Sequence, residues 1–265
     1  MHTSALEGFT ESELTHDGLT HPVFRTGSGP AVIVIHEAPG LHPGVVAFAR
    51  RVVDAGFTVF LPSLFGKPGQ ESSMGRALRS IARTCVTREF SAFALDRTSP
   101  VIGWLRALAR HAHAECGGPG VGAIGMCFTG GFALGMMVDR EMLAPVLSQP
   151  SQPLGPGRTR RAAVGISDAD LARVKERVAD GGACVLGLRF TGDRYVRAER
   201  FETLQRELGD GFIAVEIDSG PGNPHGLERS AHSVLTHEFV DEPGHPTRAA
   251  LDRVLDFLHE RLRPR

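Results

Sequence analysis

Cys127 has a sequence context that is typical of an enzymatic nucleophile. It stands between an apolar segment, VGAIG at residues 121–125, and a helix-like segment that starts near Gly130 and Gly131. Where a strand turns sharply into a helix, the side chain at the turn projects above the sheet, and glycines are needed because the backbone crowds itself. The N–H groups at the start of such a helix favour a thiolate and a developing oxyanion. We therefore predict that Cys127 is a nucleophile.

The alternative for Cys127 is a buried structural cysteine, since free cysteine is among the most buried residue types. The neighbouring glycines and the position between strand and helix favour the nucleophile. No G-x-S-x-G motif occurs in the sequence, so no serine competes for the role. One residue departs from the pattern: Thr129 stands two positions after Cys127, where a nucleophile turn usually has glycine. The packing of the turn around Thr129 is therefore open.

A cysteine nucleophile needs a histidine that takes up its proton and a carboxylate that orients the histidine. In a strand-turn-helix protein of this kind, the acid and then the histidine follow the nucleophile along the chain. Asp193 comes shortly after the apolar segment at residues 183–190, and the loop after residues 212–218 contains His225 and His232. Asp193 could instead cap the next helix. From these residues alone, either histidine could be the base.

Two other patterns resemble ligand sites, and we reject both. Gly120, Gly122 and Gly125 spell G-x-G-x-x-G, but they lie before and within the predicted strand, whereas a dinucleotide fingerprint follows its strand. A second group has metal-ligand chemistry but lies at the end of a predicted helix, where histidines two residues apart point about 200° away from each other. Its members are His111, His113, Glu115 and Cys116. We expect neither a metal nor an organic cofactor.

The elements that must position these residues alternate between strands and helices, which predicts an α/β fold: a mostly parallel, twisted sheet covered by helices on both faces, in three α/β/α layers. Predicted strands cover residues 31–36, 57–61, 121–125, 161–166, 183–190 and 212–218. Predicted helices cover residues 43–55, two or more stretches within 71–115 (one with Pro100 in its first turn), 131–140, stretches from Asp168 and from Val196, and about 247–262. Sites in such sheets form where the strands end.

We predict a single domain over residues 1–265, with residues 1–30 as an N-terminal extension or leading strands. Residues 142–160, rich in Pro, Gly, Ser and Gln, are predicted to form a surface loop. The formal net charge of -1 excludes an obvious nucleic acid or anionic membrane partner. The N-terminus has no signal-peptide pattern, so we expect a cytoplasmic protein, monomeric or homodimeric, with free thiols at Cys85, Cys116, Cys127 and Cys184.

Four segments in order give the chain a resemblance to the dienelactone hydrolase family. They are Gly125-Met126-Cys127-Phe128 with the following glycine pair, Val34-Ile35-His36-Glu37, residues 57–64 with Pro62, and Asp193-Arg194-Tyr195-Val196. The resemblance covers roughly residues 31–262. It implies an α/β-hydrolase fold and a Cys-His-Asp triad that cleaves an ester or lactone through an acyl-thioester.

The resemblance also implies roles for residues that spacing alone leaves open. Ala231-His232-Ser233 resembles the family's small-His-Ser motif, which favours His232 over His225 as the base, with residues 221–230 as an insertion. Glu37 matches a glutamate that contacts the resting thiol and shifts when substrate binds. The oxyanion hole would consist of the backbone N–H groups of Phe128 and Ala38.

The substrate is the part of the resemblance that matches least well. The family holds a substrate carboxylate with arginines, one of them four residues after the catalytic histidine, where this chain has Thr236. Arg83 or Arg88 lies in the region of the family's other arginine and could contact substrate. A different ester, lactone or thioester therefore remains open. Two alternatives use the same fold without hydrolysis: a thiol-reactive or redox protein, and a non-catalytic protein that binds a small molecule.

Overall fold

A computed structural model describes residues 4–70, 99–151, 161–181 and 183–263. Within them, eight strands form one sheet in the order β1-β2-β4-β3-β5-β6-β7-β8. The pairs β1–β2 and β2–β4 are antiparallel, and all other neighbours are parallel. The strands are β1 (Thr10–His16), β2 (Leu19–Gly27), β3 (Ala31–Ile35), β4 (Thr58–Pro62), β5 (Val121–Met126), β6 (Met142–Ser148), β7 (Val185–Phe190) and β8 (Phe212–Ile217).

Six α-helices of the described residues cover both faces of the sheet. They are α1 (Pro43–Asp54), α2 (Pro100–Cys116), α3 (Gly130–Met136), α4 (Asp168–Ala179), α5 (Ala198–Leu208) and α6 (Pro246–Leu262). Apolar residues of α2, α3, α4 and α5 belong to one core cluster, and those of α1 and α6 belong to a second cluster. Because β3 and β5 contribute residues to both clusters, the sheet lies between two helical layers. The predicted three-layer α/β/α architecture is confirmed.

Local sequence explains most of these elements. Every residue of β3, β4, β5 and β7 is buried, as expected for continuous apolar runs in the middle of a parallel sheet. Pro43 and Pro100 lie in the first turns of α1 and α2, where a missing N–H costs nothing. The N-terminal residues form the leading strands β1 and β2. None of the helices in the described part of the chain is long and apolar enough to cross a membrane.

The predicted surface loop at residues 142–160 is wrong for its first part. Residues 142–148 form β6, which pairs with β5 and β7 and is almost wholly buried. Pro145 made a strand improbable, because proline cannot donate a ladder hydrogen bond. Burial between two neighbouring strands outweighs that local preference. Residues 152–160 lie outside the described part of the chain.

The predicted strand at residues 161–166 is also wrong, since the sheet places β7 directly beside β6. The segment instead lies against α5, where the Arg200 Nε donates to the Ala163 carbonyl at 2.7 Å. The helix predicted over residues 131–140 ends at Met136. The helices expected within residues 71–98 fall outside the described residues.

Candidate active site

The chain turns sharply at Cys127, directly after β5. Cys127 has φ of 57°, a left-handed conformation that is strained for a residue with a Cβ, and it begins a short 3-10 helix that continues into α3. A Cβ on Gly125 would lie 2.2 Å from the Thr129 carbonyl oxygen, and one on Gly130 would lie 2.7 Å from the Pro150 Cα. The two glycines are therefore required by close backbone approach, as the sequence predicts.

Thr129 fits this turn because its hydroxyl finds partners inside it. The Met126 N–H donates to the Thr129 Oγ1 at 2.9 Å, and the same oxygen lies 2.8 Å from the Met126 carbonyl and 3.1 Å from that of Ile35. Thr129 is completely buried. The hydroxyl thus ties the nucleophile turn to the end of β3, a link that glycine could not make.

Ser151 is a neighbour of the thiol that sequence reasoning missed. Its Oγ lies 3.2 Å from the Cys127 Sγ, and its N–H donates to the Cys127 carbonyl at 3.0 Å. Arg200, itself buried, donates to the carbonyls of Pro150 and Ala163 and so fixes the backbone beside Ser151. No motif marks Ser151, because it lies in the Pro- and Ser-rich stretch that was predicted to be a surface loop.

His232 and Asp193 form a hydrogen-bonded pair next to Cys127. The Nδ1 of His232 lies 2.6 Å from the Oδ2 of Asp193, whose Oδ1 accepts the Tyr195 N–H at 2.8 Å. Asp193 is therefore not the cap of α5, where the N-cap residue is Arg197. The other candidate base, His225, is exposed and contacts the ring of His245. The structure places His232, and not His225, on Asp193.

The surroundings of His232 favour its protonated form. Burial lowers the pKa of His232, but the charge interaction with Cys127 and the hydrogen bonds to Asp193 and Cys127 outweigh burial, so the pKa lies well above 6.5. A cationic imidazole beside a thiolate is the arrangement that activates a cysteine nucleophile. Cys127, His232 and Asp193 therefore lie together in the arrangement that the sequence predicts for a nucleophile, its base and the orienting acid.

Glu37 lies two residues beyond β3 and is almost fully buried. Within the described residues its Oε1 accepts from His42 Nε2 at 3.3 Å and from the Thr236 hydroxyl, and its Oε2 accepts from Ser233 Oγ at 2.8 Å and Gln149 Nε2 at 3.0 Å. Burial raises the pKa of Glu37, but the hydrogen bond and charge interaction with His42, the hydrogen bond from Thr236 and the charge of His232 lower it to about 2. The carboxylate is ionised and fully bonded.

The resemblance implies that Glu37 contacts the resting thiol, but the structure shows a different arrangement. Both Glu37 oxygens are occupied by the four donors just described, and Cys127 contacts Ser151 and His232 instead. Thr236, which stands where the family has an arginine, directs its hydroxyl to Glu37. The expectation that Thr236 contacts substrate therefore stays a prediction.

His36 is a buried neutral histidine between the sheet and the site. Its Nδ1–H donates to the Glu37 carbonyl at 3.0 Å, and its Nε2 accepts the Leu64 N–H at 3.0 Å. Burial lowers the pKa of His36 to about 4. His36 therefore holds the backbone around Glu37 and does not exchange protons near neutral pH.

The remaining predicted residues are only partly located. Ala38 follows Glu37 and precedes a cis bond to Pro39, and the Phe128 ring stacks on Phe65 with ring centroids 5.2 Å apart. Their N–H groups stay predicted members of an oxyanion hole. Arg83 and Arg88 lie outside the described residues.

A cavity of about 390 Å³ lies next to Asp193, the acidic residue of the His232–Asp193 pair. Its lining includes Asp193 and three exposed arginines, Arg194, Arg197 and Arg229. These arginines lie on the loops that carry Asp193 and His232, and Glu199 also lines the cavity, so the lining has three cationic and two anionic side chains.

Comparison with known sequences gives a consistent family assignment. The sequence model of the dienelactone hydrolase family matches residues 21–262. Over 65 residues the chain is 40% identical to YghX of Escherichia coli strain K12, described as a hydrolase fragment. That match covers 23% of this chain and 55% of YghX, so the matched segment spans only about half of this curated relative.

Solved structures with the same fold cover nearly the whole chain. The dienelactone hydrolase of Anabaena variabilis has a TM-score of 0.59 at 16% identity, over 97% of this chain and 100% of that one. A dienelactone hydrolase-like promiscuous phosphotriesterase, P91 from metagenomic libraries, has a TM-score of 0.61 at 16% identity, over 96% and 98%. At these identities the similarity shows the fold alone, and the predicted α/β-hydrolase fold is confirmed.

Proposed function

This chain belongs to the dienelactone hydrolase family, and we propose that it hydrolyses an ester or lactone with Cys127 as its nucleophile. One observation carries the proposal: Cys127 stands at a strained strand-to-helix turn beside the hydrogen-bonded pair His232–Asp193. Strain at such a turn is maintained only where the surrounding structure enforces it, and it is concentrated at functional sites. Although burial lowers the pKa of His232, Cys127 and Asp193 raise it well above 6.5, which supports His232 as the residue that exchanges protons in the reaction.

The reaction proceeds in two steps. The Cys127 thiolate adds to the carbonyl carbon, and the carbon–oxygen bond of the ester breaks as His232 gives its proton to the departing alkoxide. The neutral His232 then takes a proton from water, and the hydroxide attacks the acyl-thioester. The carboxylic acid leaves, and Cys127 and His232 return to thiolate and imidazolium.

Other side chains position these groups. Asp193 holds the imidazole through its Nδ1–H and stabilises its positive charge. The N–H groups of Phe128 and Ala38 donate to the oxyanion, which is the role of the equivalent positions in this fold class. Ser151 lies close enough to donate its hydroxyl hydrogen to the thiolate. Glu37 orders the loops after β3, β6 and β8 through its four hydrogen bonds.

The test is a panel of activated esters, lactones and thioesters, neutral and anionic, on wild type, Cys127→Ala and His232→Ala. We expect each substitution to lower kcat by about 10⁴-fold, since nucleophile and base act as a unit. His225→Ala is the matched control: it removes an exposed histidine of the same loop and should leave kcat unchanged. Retained activity in Cys127→Ala, or no turnover by wild type, would overturn the proposal.

The intermediate separates this function from its alternatives. Mass spectrometry of wild type quenched at acid pH should show one acyl group on Cys127, which neutral hydroxylamine removes. A thiol-reactive or redox protein would instead oxidise reversibly at Cys127 and turn over no ester. A non-catalytic binding protein would bind its small molecule equally well after Cys127→Ala.

A further inference from the structure

Three side chains outside the Cys–His–Asp group bring metal-ligand atoms together. Glu37, His42 and His237 each offer one oxygen or nitrogen, and these atoms all lie within 4.8 Å of one another. Glu37 and His42 are buried and flank the loop after β3, whereas His237 is exposed in the segment that follows His232. The rings of His42 and His237 lie face to face, with centroids 5.0 Å apart.

The charge at this position favours a cation. Glu37 is an ionised, buried carboxylate, and the side chains that bond to it are two hydroxyls, one amide and His42. The Gly44 N–H donates to His42 Nδ1 at 3.2 Å, so the Nε2 of the same ring is the nitrogen that faces Glu37. A buried carboxylate is costly unless hydrogen bonds or positive charge compensate it, and a cation bound at this position would add to that compensation.

We propose that Glu37, His42 and His237 bind a divalent transition-metal ion of the Zn²⁺ type. Two imidazoles and one carboxylate are a common zinc ligand set. Zinc bonds of about 2.1 Å in tetrahedral geometry separate neighbouring ligand atoms by about 3.4 Å. The His42 Nε2 and Glu37 Oε1 are 3.3 Å apart. The ligand atom of His237 lies within 4.8 Å of both other ligand atoms, and because this residue is exposed its ring can turn to close the third bond.

Metal binding would break one existing hydrogen bond, and this loss lowers the affinity that we expect for the metal. The metal needs the Nε2 lone pair of His42, so the ring proton moves to Nδ1 and the Gly44 N–H loses its acceptor. Loss of one helix-capping bond weakens binding by roughly tenfold. In return, the metal connects the loop after β3 to the segment that follows His232, so it should raise the thermal stability of the folded protein in proportion to its occupancy.

The experiment measures metal binding directly and uses a background without the reactive thiol. Full-length Cys127→Ala is titrated with Co²⁺, followed by visible d–d absorption, and with Zn²⁺ by calorimetry. The Cys127→Ala background removes the thiolate–imidazole pair, which could itself take up a soft metal. We expect one ion per chain, absorption without sulfur-to-metal charge transfer, and a higher Tm with Zn²⁺.

Two added substitutions test the assignment. His237→Ala, at an exposed side chain, should fold normally and weaken binding at least tenfold, as loss of a metal-site residue does. His111→Ala is the matched control, since it removes an exposed histidine next to a carboxylate elsewhere on the surface. No binding by the Cys127→Ala protein, or equal binding after His237→Ala, would overturn the proposed metal site. Neither result depends on ester hydrolysis, so the metal site and the proposed reaction fail or succeed separately.

Discussion

The Cys127 sulfur has two polar neighbours with different parts in the proposed reaction. His232 supplies and takes up protons and is held by Asp193. Ser151 contacts the sulfur from the loop after β6. Its backbone N–H donates a hydrogen bond to the Cys127 carbonyl, which fixes its position. A hydroxyl that donates to a thiolate makes a charge-assisted bond, which is stronger than a neutral one. Ser151 is therefore a positioning residue for the charged form of the nucleophile.

Replacing this hydroxyl should slow the proposed hydrolysis without unfolding the protein. Ser151→Ala removes a bond to a charged group, worth about 1.5–3 kcal/mol, so we expect kcat/KM to fall by at least about tenfold. The measurement is hydrolysis of an activated ester, with urea denaturation to verify an unchanged midpoint. Ser151→Thr keeps the hydroxyl and should recover most of the rate. Equal rates for Ser151→Ala and wild type would contradict this role.

At the scale of elements, the connection from β5 to α3 is the most constrained part of the site. Its backbone passes within contact distance of itself at Gly125 and of the β6 exit at Gly130. The Thr129 hydroxyl adds bonds from this turn to β3. The position of Cys127 is therefore set jointly by the ends of three neighbouring strands, β3, β5 and β6.

An alanine at Gly125 should therefore be costly. The added Cβ would lie 2.2 Å from the Thr129 carbonyl oxygen, a backbone atom that cannot move away cheaply. We expect Gly125→Ala to lower the free energy of unfolding by about 2 kcal/mol or more, measured by urea denaturation. Gly103→Ala is the matched control: it lies within α2 with no atom within 4 Å of the new Cβ, so it should stabilise by about 0.5–1 kcal/mol. Similar losses for both variants would show that crowding at the turn is not the cause.

At the scale of the whole molecule, two adjacent buried groups make stability depend on pH in different ranges. The pKa of His36 falls from 6.5 to about 4 on folding, so the unfolded chain binds the proton more tightly. Stability from a neutral His36 is complete above pH 6.5 and is lost as the pH falls towards 4. The pKa of Glu37 falls from 4.5 to about 2, so its contribution is complete above pH 4.5 and is lost only below it.

Between pH 6.5 and 4.5, His36 should therefore account for a measurable loss of stability. A shift of this size corresponds to about 3 kcal/mol when complete, and most of it should appear by pH 4.5. Urea unfolding of wild type at pH 7.0, 5.5 and 4.5 measures the slope. His36→Gln, which can donate and accept but does not titrate, should flatten it. An unchanged slope in His36→Gln would assign the loss to other groups.

Local signals in the sequence determined much of this protein. The apolar runs of β3, β4, β5 and β7 are long and uninterrupted enough to specify buried parallel strands. Gly125 is required by contacts with Thr129 and Gly130 in its own segment, so this part of the turn can be predicted locally, whereas the crowding at Gly130 comes from Pro150. Asp193 was identified because it follows a strand that was predicted correctly.

Tertiary structure decided what depends on distant residues. β6 is a strand despite Pro145, because neighbouring strands on both sides bury it. Ser151 reaches Cys127 across 24 residues of sequence, and Ser233 and Thr236 reach Glu37 across 196 and 199. Hydrogen bonds of this kind leave no periodic or motif signal, since either partner is an ordinary polar residue in its own segment. The sequence alone thus placed Cys127, Asp193 and Glu37 near strand ends, and the family resemblance already favoured His232 over His225, whereas strand β6 and the surroundings of Glu37 required the folded chain.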